Sequence, residues 1–75
     1  MAEIKIVNGI EIYAHEFSHG QWAIVDGRAV EIEDTQVHGD TVEVEFWEWH
    51  GHTKTPRLVY LSRTTKLQSL YFKLS

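Results

Sequence analysis

The sequence predicts an all-β domain, a small barrel of five to seven short antiparallel strands. Three observations carry that expectation. Apolar and polar residues alternate at period two through much of the 75 residues. Asn, Asp and Gly punctuate the chain at short intervals. No segment shows the three-to-four-residue apolar spacing of an amphipathic helix. Closing the sheet removes exposed edges, so an SH3-like barrel is the first expectation and an OB-like barrel the second. Residues 1–75 read as a single domain, since domains run from about 50 to 250 residues.

The elements follow in order. Ile4 and Ile6 alternate with Glu3 and Lys5, and Ile10 and Ile12 with Glu11 and Tyr13. A three-residue loop, Val7-Asn8-Gly9, would place Ile6 opposite Ile10 and Ile4 opposite Ile12, whereas a two-residue Asn-Gly turn would mix the faces. Val25-Asp26-Gly27 repeats the device, with Trp22 and Ile24 before it and Val30 and Ile32 after it. That parity places Trp22 in the core. A third hairpin turns at His38-Gly39-Asp40, and pairing Val37 with Thr41 sets Ile32 opposite Phe46 and Glu33 opposite Glu45.

Alternation breaks at Phe46-Trp47-Glu48-Trp49. With Phe46 inward, Trp47 and Trp49 face out, and a bulge near Phe46 would reverse them. Residues 50–56 read as a loop ended by the one proline, Arg57 to Ser62 as a buried strand and Thr64 to Gln68 as a turn or a single helical turn. Leu70, Phe72 and Leu74 alternate in a last strand.

Composition narrows the chemistry. The chain has no cysteine, which removes disulfides and thiolate zinc clusters and fits a reducing compartment. Its apolar runs fall far short of the ~18 residues a spanning helix needs, and the first residues lack the pattern of a signal peptide. The expectation is a soluble, cytoplasmic protein without a membrane partner.

Charge is sharply divided. All eleven acids lie between Glu3 and Glu48, against Lys5 and Arg28, so the first forty-eight residues carry −9 and the rest +5. The net of −4 speaks against non-specific nucleic-acid binding by the whole surface.

Five residues, His15-Glu16-Phe17-Ser18-His19, fit H-E-x-x-H, in which two histidines one helical turn apart hold zinc and the glutamate activates water. The string resembles the active-site helix of zincin metalloproteases. That resemblance covers these residues and Gly20, and implies His15 and His19 as ligands with Glu16 as general base. The motif needs a helix, yet it follows a strand pattern, so no metal or cofactor is expected and the chain is read as a non-enzyme. His50-Gly51-His52, with His38, is a second histidine group that reads as solvated loop.

The stronger candidates are an aromatic cluster and an acidic face. Trp47 and Trp49 have the character of interface anchors. Glu31, Glu33, Glu43 and Glu45 crowd one face of a predicted hairpin, where like charges opposite one another cost up to about 1 kcal/mol. Together these six residues predict a protein-binding module that docks on a basic partner surface, of the accessory or inhibitory kind that phages and mobile elements encode. Homo-oligomerisation is compatible with this reading. The alternative is a single-stranded nucleic-acid binder using Arg57, Arg63 and Lys66 beside Tyr60 and Tyr71. A zinc-dependent hydrolase is the third.

Overall fold

A computed structural model describes residues 3–74. Six strands run in chain order: β1 (Ile4–Tyr13), β2 (Trp22–Val25), β3 (Arg28–His38), β4 (Thr41–His50), β5 (Thr53–Ser62) and β6 (Lys66–Leu74). A 3-10 turn, Ala14–Glu16, joins β1 to β2. The strands form one antiparallel sheet in the order β1-β6-β2-β3-β4-β5.

The all-β expectation holds, but the sheet does not close. Its edges are β1 and β5, which correct the barrel. Two features make closure unnecessary. Pro56 lies within β5, where it offers no backbone N–H to a further strand. The 3-10 turn drops buried Ala14 and, just after it, Phe17 onto the core face over β3 and β4, so part of that face is covered without a further strand. The Thr35 hydroxyl supports that cover, sharing its one proton between the carbonyls of His15 and Phe17 at 3.4 Å each.

Ala14, Phe17, Ala23, Val25, Val30, Ile32, Val42, Val44 and Phe46 make one buried cluster, with Ile12, Val59, Leu61 and Leu67 packed against it. All six strands contribute, which a flat sheet could not do, so the sheet wraps around its own core face. Fully burying Ile32 or a valine such as Val44 is worth about 1.5–3 kcal/mol each.

The turns decide which residues face that core. Asp26 and Gly27 both have positive φ, 51° and 77°, which is the two-residue hairpin turn that an Asp-Gly pair favours. Val25 therefore pairs with Arg28 and Ala23 with Val30. The expected three-residue loop is one residue too long, and a one-residue slip exchanges faces. Ala23 and Val25 point to the core, while Trp22 and Ile24 point to the outer face.

The third hairpin differs the same way. Its turn is Gly39-Asp40, with His38 opposite Thr41 and Val37 opposite Val42. A register shift between Ile32 and Asp34 makes Glu33 a bulge residue and restores the expected Ile32–Phe46 pair. Asp34, not Glu33, stands opposite Glu45.

The largest correction is at the start of the chain. Residues 4–13 are one continuous strand, not a hairpin, and their partner is β6, with Ile4 opposite Leu74 and Ile12 opposite Leu67. Gly9 sits in an irregularity between Asn8 and Glu11. It is needed for close approach: a Cβ there would lie 2.5 Å from Ser69 Oγ. The Ser69 hydroxyl donates to the Ile10 carbonyl at 2.6 Å, and the Gln68 amide donates to the carbonyl of Gly9 at 2.5 Å.

Candidate functional site

Directly opposed residues of antiparallel strands share a face. Reading the register across the sheet gives one outer row, Asn8, Leu70, Trp22, Glu31, Trp47 and Pro56. Along β4, alternation places Glu43, Glu45, Trp47 and Trp49 on that same outer face, because Val42, Val44 and Phe46 are buried. Both tryptophans therefore face out. The bulge that could have reversed them lies on β3 at Glu33 instead.

The six expected site residues come together here. The Trp47 indole N–H donates to Glu33 at 2.8 Å, and that of Trp49 to Glu31 at 3.3 Å. Each carboxylate thus fixes a ring and lends it electron density. The Lys54 ammonium rests over both rings, 4.4 Å from the Trp47 centroid and 5.4 Å from that of Trp49. Lys54 is placed there because it stands directly opposite Trp49 on β5. Its cation and the aromatic faces attract by about 0.5–1 kcal/mol at an exposed site.

Further along the same face, Glu43 accepts from the Tyr60 hydroxyl at 3.2 Å, with His38 Nε2 at 3.9 Å. The hydrogen bond to Glu43, then the carboxylate's charge, then desolvation push the Tyr60 phenol above the usual tyrosine range. Glu33 also has His19 Nδ1 at 3.5 Å. Glu45 is exposed and makes no hydrogen bond or ion pair among the described residues.

The arginines go elsewhere. Glu48 lies on the opposite face of β4, where Arg28 and Arg57 bind its two oxygens and His50 Nε2 lies 3.4 Å away. Desolvation raises this carboxyl, but the hydrogen bond from Arg28 and the charges of Arg28, Arg57 and His50 outweigh it and hold it below the usual glutamate range. Its side chain is only 13% exposed. Among the described residues, no lysine or arginine forms an ion pair with Glu31, Glu33, Glu43 or Glu45.

The H-E-x-x-H string is not a helix. Ala14–Glu16 makes a single 3-10 turn, and Phe17 is already extended, at φ −72° and ψ 140°. His15 stacks on Tyr13 at 5.6 Å, whereas His19 turns toward Glu33 and its carbonyl. The segment exists to bury Ala14 and Phe17. His50-Gly51-His52 is also shorter than a loop: Gly51 and His52 form a tight turn with Gly51 at φ 64°, and β5 begins at Thr53. No group of three or more His, Cys, Asp or Glu among the described residues is arranged to hold a metal ion.

The cations of the alternative reading are divided. Arg57 is committed to Glu48, while Arg63 lies with Tyr13, His15, Asp40, Ser62 and Thr64 around a shallow depression of about 390 Å³. Lys66 sits over the Tyr13 ring at 4.9 Å. Sequence reasoning missed the carboxylate–indole pairs and the Glu48 cluster, since both depend on register. The Asp26-Gly27 pair, read as a two-residue turn, was the signal that would have moved Trp22 outward. No helix is long and apolar enough to cross a membrane among the described residues. No protein-family model, curated protein or solved structure matches this chain.

Proposed function

We propose that the chain is a non-catalytic protein-binding module whose outer β3–β4 face docks on a basic surface of a partner. Glu31, Glu33, Glu43 and Glu45 supply the charge, and Trp47 and Trp49 supply the anchor. The observation that carries this reading is the division of the ion pairs. Arg28 and Arg57 neutralise Glu48 on the opposite face, and the outer acids meet indole, phenol and imidazole groups but no lysine or arginine ion pair among the described residues. A face with carboxylates free of lysine and arginine ion pairs beside hydrogen-bonded indoles suits arginine- or lysine-rich surfaces, through steering at long range and, once Lys54 is displaced from the rings, cation–π contact at short range.

The test is capture from the native host's lysate at low and high salt, using the parent chain and a Glu33→Lys, Glu43→Lys, Glu45→Lys variant. A protein retained by the parent, weakened by salt and lost with the variant is the expected result. An unchanged set of retained proteins would refute the reading. An accessory or inhibitory role follows if the retained protein uses the same basic surface to hold nucleic acid.

A second reading, single-stranded nucleic-acid binding, draws on one observation: Arg63 and Lys66 flank the stacked Tyr13 and His15 rings. It requires a salt-sensitive shift of a labelled oligonucleotide that Arg63→Ala abolishes.

A further inference from the structure

Beyond Leu70, β6 has only β1 beside it. Its pairing with β2 covers Trp22–Leu70 and Ala23–Ser69 and ends there. The two strands continue as a ribbon, in which Ile4 stands opposite Leu74 and Ile6 opposite Phe72. These four side chains share one face, while Lys5 opposite Lys73 and Val7 opposite Tyr71 take the other. A two-stranded ribbon standing alone is marginal in water. This one is also open on its apolar side: Ile4 is 69%, Ile6 58%, Phe72 49% and Leu74 70% exposed. Trp22 borders the patch, its ring meeting Phe72 edge-on at 5.5 Å.

We infer that this face is covered by the same face of a second copy of the chain, giving a two-fold dimer. Four half- to two-thirds-exposed side chains of this size present roughly 450–500 Å² of apolar surface, the size of the largest patch on a typical monomer, which is often functional. Two copies together remove roughly 900–1,000 Å² from these residues alone, and the flanking ribbon carries the sum past the ~1,000 Å² at which specific interfaces begin. The patch carries no charged side chain of either strand, so it asks for no partner of opposite sign, and an aliphatic face is complementary to itself about a two-fold axis. A lipid surface suits the patch less well, because none of its four residues is a cation that would meet headgroups as the patch inserts. The patch continues the outer face that carries Trp22, Glu31 and Trp47, but its four residues stand on other strands than the acids of β3 and β4.

Sedimentation of the whole chain provides the test. The parent should sediment as a particle of twice 8.7 kDa at about 100 µM chain. An Ile4→Glu, Leu74→Lys variant places opposite charges directly across the ribbon, which keeps the monomer's strand pairing but would bury charges between copies. Its dissociation constant should rise by at least ~100-fold with an unchanged β-sheet circular dichroism spectrum. Should that variant lose its sheet, Ile4→Ser takes its place, with about tenfold weakening expected. Leu58→Ser, at an exposed aliphatic on β5, should leave association unchanged. A parent that is monomeric at that concentration overturns the inference. So does a ribbon variant that associates as tightly as the parent, or an equal loss in Leu58→Ser.

Discussion

Gly9 offers the sharpest check on how the sheet is assembled. In the structure it lies mid-strand, and a methyl group there would meet Ser69 Oγ at 2.5 Å. The hydroxyl must then rotate away, which breaks its 2.6 Å bond to the Ile10 carbonyl. A hydrogen bond of this kind is worth about 0.5–1.5 kcal/mol, and displacing the side chain adds a comparable amount, so Gly9→Ala should cost about 1–2 kcal/mol. In a domain of this length that lowers the melting temperature by about 5–10 °C. Ser69→Ala alone should cost about 1 kcal/mol for the lost bond. Combined with it, Gly9→Ala meets no hydroxyl, and the stiffer unfolded chain makes the second change neutral or stabilising by up to about 1 kcal/mol. The two changes are therefore coupled by roughly 1–3 kcal/mol. Urea unfolding of the four proteins at one fixed chain concentration measures this, the fixed concentration holding self-association constant. If Gly9→Ala costs the same about 1 kcal/mol with and without Ser69, the glycine is acting as a turn residue and the β1–β6 register is wrong.

Three further outcomes are expected. Glu48 has a carboxyl held below the usual glutamate range in the folded chain, so its stabilising effect is complete above the unfolded value and is lost as pH falls through the folded one. Glu48→Gln should lower stability at neutral pH and flatten its decline on acidification, measured by unfolding at several pH values. Glu43→Gln removes the charge that raises the Tyr60 phenol, so spectrophotometric titration of that tyrosine should move to lower pH. Asp26, at φ 51° in its two-residue turn, should tolerate Asn with a gain of a few tenths to about 1 kcal/mol, because Asn-Gly is the favoured pair there. A loss of melting temperature in Asp26→Asn would count against that turn.

Local patterning made much of the sheet legible. Period-two alternation gave the β class, and the Gly39 and Gly27 turns located two of the hairpins. Face assignment was less secure, because it hangs on single residues. The Asp26-Gly27 turn is one residue shorter than parity suggested, and Trp22 moved from core to surface as a result. At the third hairpin a shorter turn and a bulge at Glu33 cancelled, so Ile32 and Phe46 met as expected for reasons the alternation did not contain. The β1–β6 pairing was invisible. Nothing near Ile4 specifies a partner some seventy residues away, and Asn8-Gly9 mimics a turn while serving a close approach to Ser69. The acidic residues and tryptophans were recognisable as a group, yet their mutual hydrogen bonds follow from the register between β3 and β4, which composition does not encode.

The place of β6, between β1 and β2, has a kinetic consequence. From β3 to β5 each strand pairs with the one before it, so the β2–β5 meander assembles through short loops. β1 has no partner until β6 arrives, although it is synthesised first. Its closure spans nearly the whole chain and carries the largest loop entropy of any pairing in the sheet. During synthesis, residues 4–13 therefore wait with an unpaired backbone and four isoleucines while the rest of the sheet forms behind them. The step most exposed to misassociation is the last one, when β6 must enter beside β2 and collect β1 from solution.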